Sequence, residues 1–242
     1  MKNREGGSRS MKWYVWLFAV LAVLVTACGN HTDQASLCAN LVLFQGQISE
    51  TFTPQEFLEW IAKTQGVAVS EVEILDLPST LPIGFIWTTG NYRYSATLED
   101  DKFTEIRIGT VDRGGIPARI VTECLGKPEI YRAIHDADIH VLGGELTFEM
   151  VFSSSVMAQG FRFYRRVPAT PLSIDENFTI RGFVITSPGT AVEILQKVYI
   201  TSAQDTFKWM HPWPENWEDI QVDVTPAMQR RLSRSKFRKG MT

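Results

Sequence analysis

The chain has 242 residues, 44% of them apolar, 11% aromatic and 21% charged, with a formal net charge of −3 at pH 7. These proportions belong to a globular protein with a core, and they exclude a disordered, collagen-like or multispanning chain. An acidic balance also excludes nucleic acid as a partner, because phosphates need a basic face on the folded part.

In chain order, Lys2, Arg4, Arg9 and Lys12 stand against the single acid Glu5, and about 13 apolar residues follow from Trp13 to Val25. That run has the length of a leader's apolar region and falls short of the roughly 20 residues that span a bilayer core. Thr26 and Ala27 then lead into Cys28. An uncleaved anchor helix, secretion with cleavage after Ala27, and lipid attachment at Cys28 all fit this order. A complete leader also begins at Met11, which makes the first ten residues an upstream extension.

Val25-Thr26-Ala27-Cys28 resembles the lipobox of bacterial lipoproteins: an aliphatic residue, two small ones, then cysteine. The resemblance implies a diacylglyceryl group on the Cys28 thiol and cleavage that leaves Cys28 first in the mature chain. It implies a protein at the cell membrane, facing the extracytoplasmic side and moored through acylated Cys28. Each buried acyl CH2 contributes about 0.8 kcal/mol, and stable mooring takes more than one chain. Residues 1–27 are then a signal peptide carrying net +3, leaving −6 on the remainder. Residues 28–50 read as a tether and linker. In an oxidising compartment Cys38 and Cys124 have one way to pair as a disulfide. Cys124 also falls on the inner face of a helix, where a buried free thiol is equally natural.

Three segments read as helices that open on proline. Thr53 caps the first, Pro54 takes its first position, Glu56 completes a capping box, and Gly66 ends it. Pro117 opens the second, with Ile120, Val121, Cys124 and Leu125 on one face and Gly126 as the stop. In the third, Ser187 caps, Pro188 opens, and Ala191, Val192, Ile194 and Leu195 form the apolar side. Between them lie strand-like runs. After the first helix come residues 71–75, 84–89, 92–98 and 103–109. After the second come 129–134, 137–142, 145–152, 160–166 and 178–186. Residues 197–200 and 219–224 read as two further strands. Tyr92, Tyr94, Ala96 and Leu98 alternate, as do Phe148, Met150 and Phe152, which is the period of antiparallel strands covered on one face.

The expected fold is α+β: two tandem modules, each a short helix packed on a three- to four-stranded antiparallel sheet. The first takes residues 51–112 and the second 113–224, with the third helix and a Trp-rich loop; residues 225–242 are a basic tail. This order resembles the tandem helix-plus-sheet modules of the β-lactamase inhibitor protein and of small outer-membrane-assembly lipoproteins. That resemblance covers roughly residues 50–200, implies protein binding rather than catalysis, and carries over no functional residue.

Residues 207–220 are the densest aromatic stretch, in which Trp209, His211, Trp213 and Trp217 are candidates for a platform taking a sugar or a cationic group. The alternative is that these rings fold inward over the sheet core. Glu215, Glu218 and Asp219 are adjacent in sequence, whereas a glycosidase pair must face across a cleft. Asp136, Asp138 and His140 share one face of a strand and His135 the other. That set could hold a metal ion for a hydrolase, but the same residues make a routine solvent face, and no metal or cofactor is expected. No nucleophile elbow, phosphate loop or paired-cysteine motif occurs, so no catalytic residue is expected. The tail holds Arg230, Arg231, Arg234, Lys236, Arg238 and Lys239 and no acid, leaving −12 on the body. Its bases would attract anionic headgroups at about 1 kcal/mol each, unless it is simply a solvated end. The expected role is a non-catalytic binding or envelope-associated protein, for which an open sheet edge would serve by adding a partner strand.

Overall fold

The computed structural model describes residues 35–75, 82–111, 114–136, 143–152, 155–165, 172–198 and 208–230. Residues 35–47 form the first helix, α1. Leu37, Leu41, Phe44 and Ile48 recur at helical spacing and are all buried. The region expected to be a tether therefore contributes a core helix, and that spacing was its signal.

Helix α2 (Pro54–Gln65) starts as its sequence dictates. The Glu56 amide donates to the Thr53 hydroxyl, and the Thr53 amide and hydroxyl donate to Glu56 Oε2 at 2.8 Å each. Those donors lower the Glu56 pKa. Gly66 closes the helix at φ 66°, a left-handed conformation that costs glycine nothing. Phe57, Leu58 and Ile61 are buried beneath it, each burial stabilising by about 1.5–3 kcal/mol.

A short 3-10 turn leads to β1 (Glu73–Leu75), then β2 (Ile83–Thr89), β3 (Tyr92–Glu99) and β4 (Lys102–Thr110). After β5 (Ile116–Pro117) and α3 (Ala118–Leu125) come β6 (Ile130–Asp136), β7 (Gly144–Phe152) and β8 (Val156–Tyr164). The chain continues through β9 (Thr179–Ile180), β10 (Gly182–Thr186), α4 (Ala191–Val198), β11 (His211–Pro212) and β12 (Asp223–Val224). Residues 226–230 form a last helical turn, α5.

The α+β class holds, but the sheet is larger than the three or four strands expected. Its strands run in the order β1-β2-β3-β4-β10-β8-β7-β6-β11, with β12 also on β6, ten among the described residues. The joining piece is β10, antiparallel to β4 on one side and to β8 on the other. Alternation could show that β4 and β8 each cover one face; it could not show that a later strand fits between them.

One face carries α1, α2, α3 and the main core. The alternating residues Tyr92, Tyr94, Ala96 and Leu98 of β3 and Phe148, Met150 and Phe152 of β7 are all buried there. Phe44 of α1 meets Trp60 of α2, and both meet Phe103 of β4. Trp87 and Tyr94 stack at 5.1 Å, and the Tyr94 hydroxyl accepts from Asn40. Burial pushes the Tyr94 pKa up to about 12 against that bond. On the opposite face α4 packs Ala191, Ile194 and Leu195 over Val151, Met157 and Val184.

Two expectations about α4 and its surroundings give way. The helix begins at Ala191, not Pro188, because Thr190 and Glu193 form the capping box: Glu193 Oε2 accepts from the Thr190 amide and the Glu193 amide donates to Thr190 Oγ1. Ser187, expected as the cap, instead accepts from Lys197 Nζ at 2.9 Å. Lys197 and Val198, read as the start of a strand, finish this helix. The expected strand at 219–224 shrinks to β12, preceded by a 3-10 turn at Trp217–Asp219.

Candidate functional site

Strand β6 gathers the residues that the sequence singled out. It pairs with β7 along its length, and its other edge is closed by a strap, residues 208–224. His211 and Pro212 lie antiparallel to Tyr131 and Ile130, and Asp223 and Val224 lie parallel to Ile134 and His135. Prolines at 212 and 214 hold the strap extended.

Tyr131 is the hub of that closure. Its ring meets His211 at 5.4 Å and Trp213 at 5.8 Å, and its hydroxyl accepts from the Gln221 amide at 2.8 Å. Burial raises its pKa, the Gln221 bond opposes this, and the Asp223 charge adds to it. His211 Nε2 lies 2.7 Å from Asp223 Oδ2, tying the two ends of the strap. Trp213 and Trp217 meet edge to face at 5.0 Å and both lean on Phe148 at 6.4 Å. The structure thus brings His211, Trp213 and Trp217 together, half-buried and packed inward against the core. Trp209 stands beside Lys208, whose Nζ sits 5.0 Å from its ring centroid. Glu215, Glu218 and Asp219 are exposed on the loop.

Asp136 ends β6 on the exposed side, where Oδ1 accepts from the Thr225 hydroxyl. His135 points inward, 3% exposed, with no hydrogen-bond partner for Nε2. Burial lowers its pKa, partly offset by Asp136. Cys28, Asp138 and His140 lie outside the described residues. Among the described residues no three His, Cys, Asp or Glu side chains converge as metal ligands.

Cys38 of α1 and Cys124 of α3 form a disulfide, with Cα atoms 5.5 Å apart. Neither sulfur is therefore available as a nucleophile, and the His211–Asp223 pair serves as a clasp.

Sequence reading missed one cluster. On the face opposite the main core, Glu149 is fully buried and accepts from Arg132 Nε and Nη2 at 2.7 and 2.8 Å and from Gln159 Nε2 at 3.1 Å. The three residues are aligned across β6, β7 and β8 by register. A buried carboxylate satisfied by a bidentate arginine is a structural solution. Its only trace in sequence was a glutamate between Phe148 and Met150.

No family model and no curated protein matches the chain. Among solved structures, a cysteine-rich secretory protein from Staphylococcus aureus subsp. aureus Mu50 is similar at a TM-score of 0.30 and 5% identity. The match covers 59% of this chain and 45% of that one, less than half of that protein's length.

Proposed function

We propose that this chain is a lipid-anchored protein of the extracytoplasmic face, acting as a non-catalytic binding or envelope-associated component. The observation that carries the reading is Val25-Thr26-Ala27-Cys28 directly behind the apolar run Trp13–Val25. Two features of the body support it. The Cys38–Cys124 disulfide suits an oxidising compartment. Cys38, Cys124 and His211 are used structurally: the two thiols are bridged, and His211 is tied to Asp223.

Binding has a natural place on the sheet. Among the described residues β1 has no strand on its outer side, and its Ile74 and Leu75 are exposed. Such an edge accepts a further strand through backbone hydrogen bonds. Intact-mass analysis of the product from its native membrane tests the reading: the expected mass is that of a chain beginning at Cys28 plus acyl groups, and Cys28→Ser should release the protein to the soluble fraction. An unmodified thiol at Cys28 or a retained leader would end it.

A further inference from the structure

The registers sort the sheet into two ends. Tyr92 pairs with Thr110, Gly109 with Gly182, Tyr164 with Gly144, and Glu145 with Asp136. The start of β3, the ends of β4, β8 and β6, and the starts of β10 and β7 therefore lie at one end. The turn Glu99–Lys102 and the start of β6 lie at the other.

Both chain exits are at the first end. Helix α1 runs from it: Asn40 reaches Tyr94, near the start of β3, whereas Ser49 donates its amide to Phe103 O beside the far turn. Residue 35 is seven positions after Cys28, a reach of at most about 25 Å. At the other terminus, the Thr225 amide donates to His135 O and Met228 is buried against His135 and Gly144. The chain thus leaves from this same end at Arg230, with five more bases to come before residue 242.

The two ends differ in surface. The exit end exposes Arg93, Arg162 and Arg165, with Val111 and Phe163 each 60% exposed; Asp136 and Glu145 are among its acids. The far end presents Glu99, Asp100 and Asp101 at its turn, beside Lys102, and from it departs the loop that follows Pro212, on which Glu215, Glu218 and Asp219 are exposed. An anionic surface repels the second and attracts the first, and exposed apolar side chains between arginines are what an interface admits.

We propose that the exit end is a membrane-facing surface, so that the body rests on an anionic phospholipid bilayer with Phe163 and Val111 at the headgroups and the acidic end directed away. This rests on the lipid-anchored reading for its tether. The tether and tail then act together, because holding one raises the effective concentration of the other at the surface.

The test places a photoreactive benzoylphenylalanine at position 163, 111, 101 or 218 of the full chain, in vesicles of phosphatidylglycerol with phosphatidylcholine or of phosphatidylcholine alone. Each label is made in the wild type and in Cys28→Ser. Lipid adducts are expected at 163 and 111, on the vesicles that contain anionic phosphatidylglycerol, and not at 101 or 218. In Cys28→Ser, Arg93→Gln and Arg165→Gln should each lower the yield at 163 by about fivefold at low salt. Equal adducts at 101 or 218, or a yield at 163 indifferent to vesicle charge, would overturn the proposal. An acylated intact mass with adducts at the wrong end sinks the orientation alone. An unmodified Cys28 with adducts still at 163 sinks the anchor and leaves the surface standing.

Discussion

The two halves of the sheet are finished differently. At the β6 side, the strap, the His211–Asp223 clasp and the Tyr131 hub leave no strand edge unpaired at either end of β6. At the β1 side the last strand is three residues long and wholly exposed, with Ile74 at 48% and Leu75 at 37%. Its half is held from above instead, by α1 and α2 and by the disulfide that ties α1 to α3. Short edge strands and covered edges are two ways of preventing unwanted pairing. Here a sealed edge is the stable one, and a short edge is the one left accessible.

Breaking the link over the open half should have the largest effect. The loop closed by Cys38–Cys124 spans 86 positions, which gives about 4.5 kcal/mol by chain entropy. Cys38→Ser with Cys124→Ser should lower the urea midpoint accordingly, with amide exchange rising first in α1. On the sealed half, Trp213→Ala should cost about 2 kcal/mol, since that ring is only partly buried, and proteolysis should then cut the strap before the β1–β4 half. If both variants opened the two halves equally, the contrast would fail.

A smaller effect should follow pH. The folded pKa of His135 is depressed by burial, so its neutral form is favoured in the native state. The stability this contributes is complete above the unfolded value near 6.5 and declines as pH falls from there toward the folded pKa. Unfolding midpoints between about pH 7.5 and about pH 5.5 should fall in the wild type and fall less in His135→Gln. Protease sensitivity of residues 223–230 should rise over the same interval. The smallest effect should be at the exposed edge: Ile74→Lys should change stability by less than about 0.5 kcal/mol, while abolishing any partner strand captured there in a pull-down.

Local chemistry was the legible part of the sequence. Thr53, Pro54, Glu56 and Gly66 specify α2 through short-range bonds, and those bonds are present. The alternation in β3 reports one covered face, and its buried residues are those expected; in β7 the expected Phe148, Met150 and Phe152 are buried, but so are Glu149 and Val151 on the other face. What went unread was either displaced by a competing signal or non-local. Helix α1 carries its own apolar spacing but follows a cysteine that suggests a tether. Ser187-Pro188 masked the capping box at Thr190 and Glu193. The insertion of β10 between β4 and β8 depends on contacts across more than 70 positions, which no short window contains. At the candidate site the density of rings in residues 207–220 was legible; that Trp213 and Trp217 turn toward Phe148, while Trp209 stands apart beside Lys208, required the fold.

The position of β10 also has a consequence during synthesis. A nascent chain halted before Gly182 can pair β2 to β4 and β6 to β8, but it then holds two partial sheets with β4 and β8 both bare. Only when residues 182–186 arrive do these edges disappear together, so the interval before them is when the emerging polypeptide is most prone to stick to its neighbours.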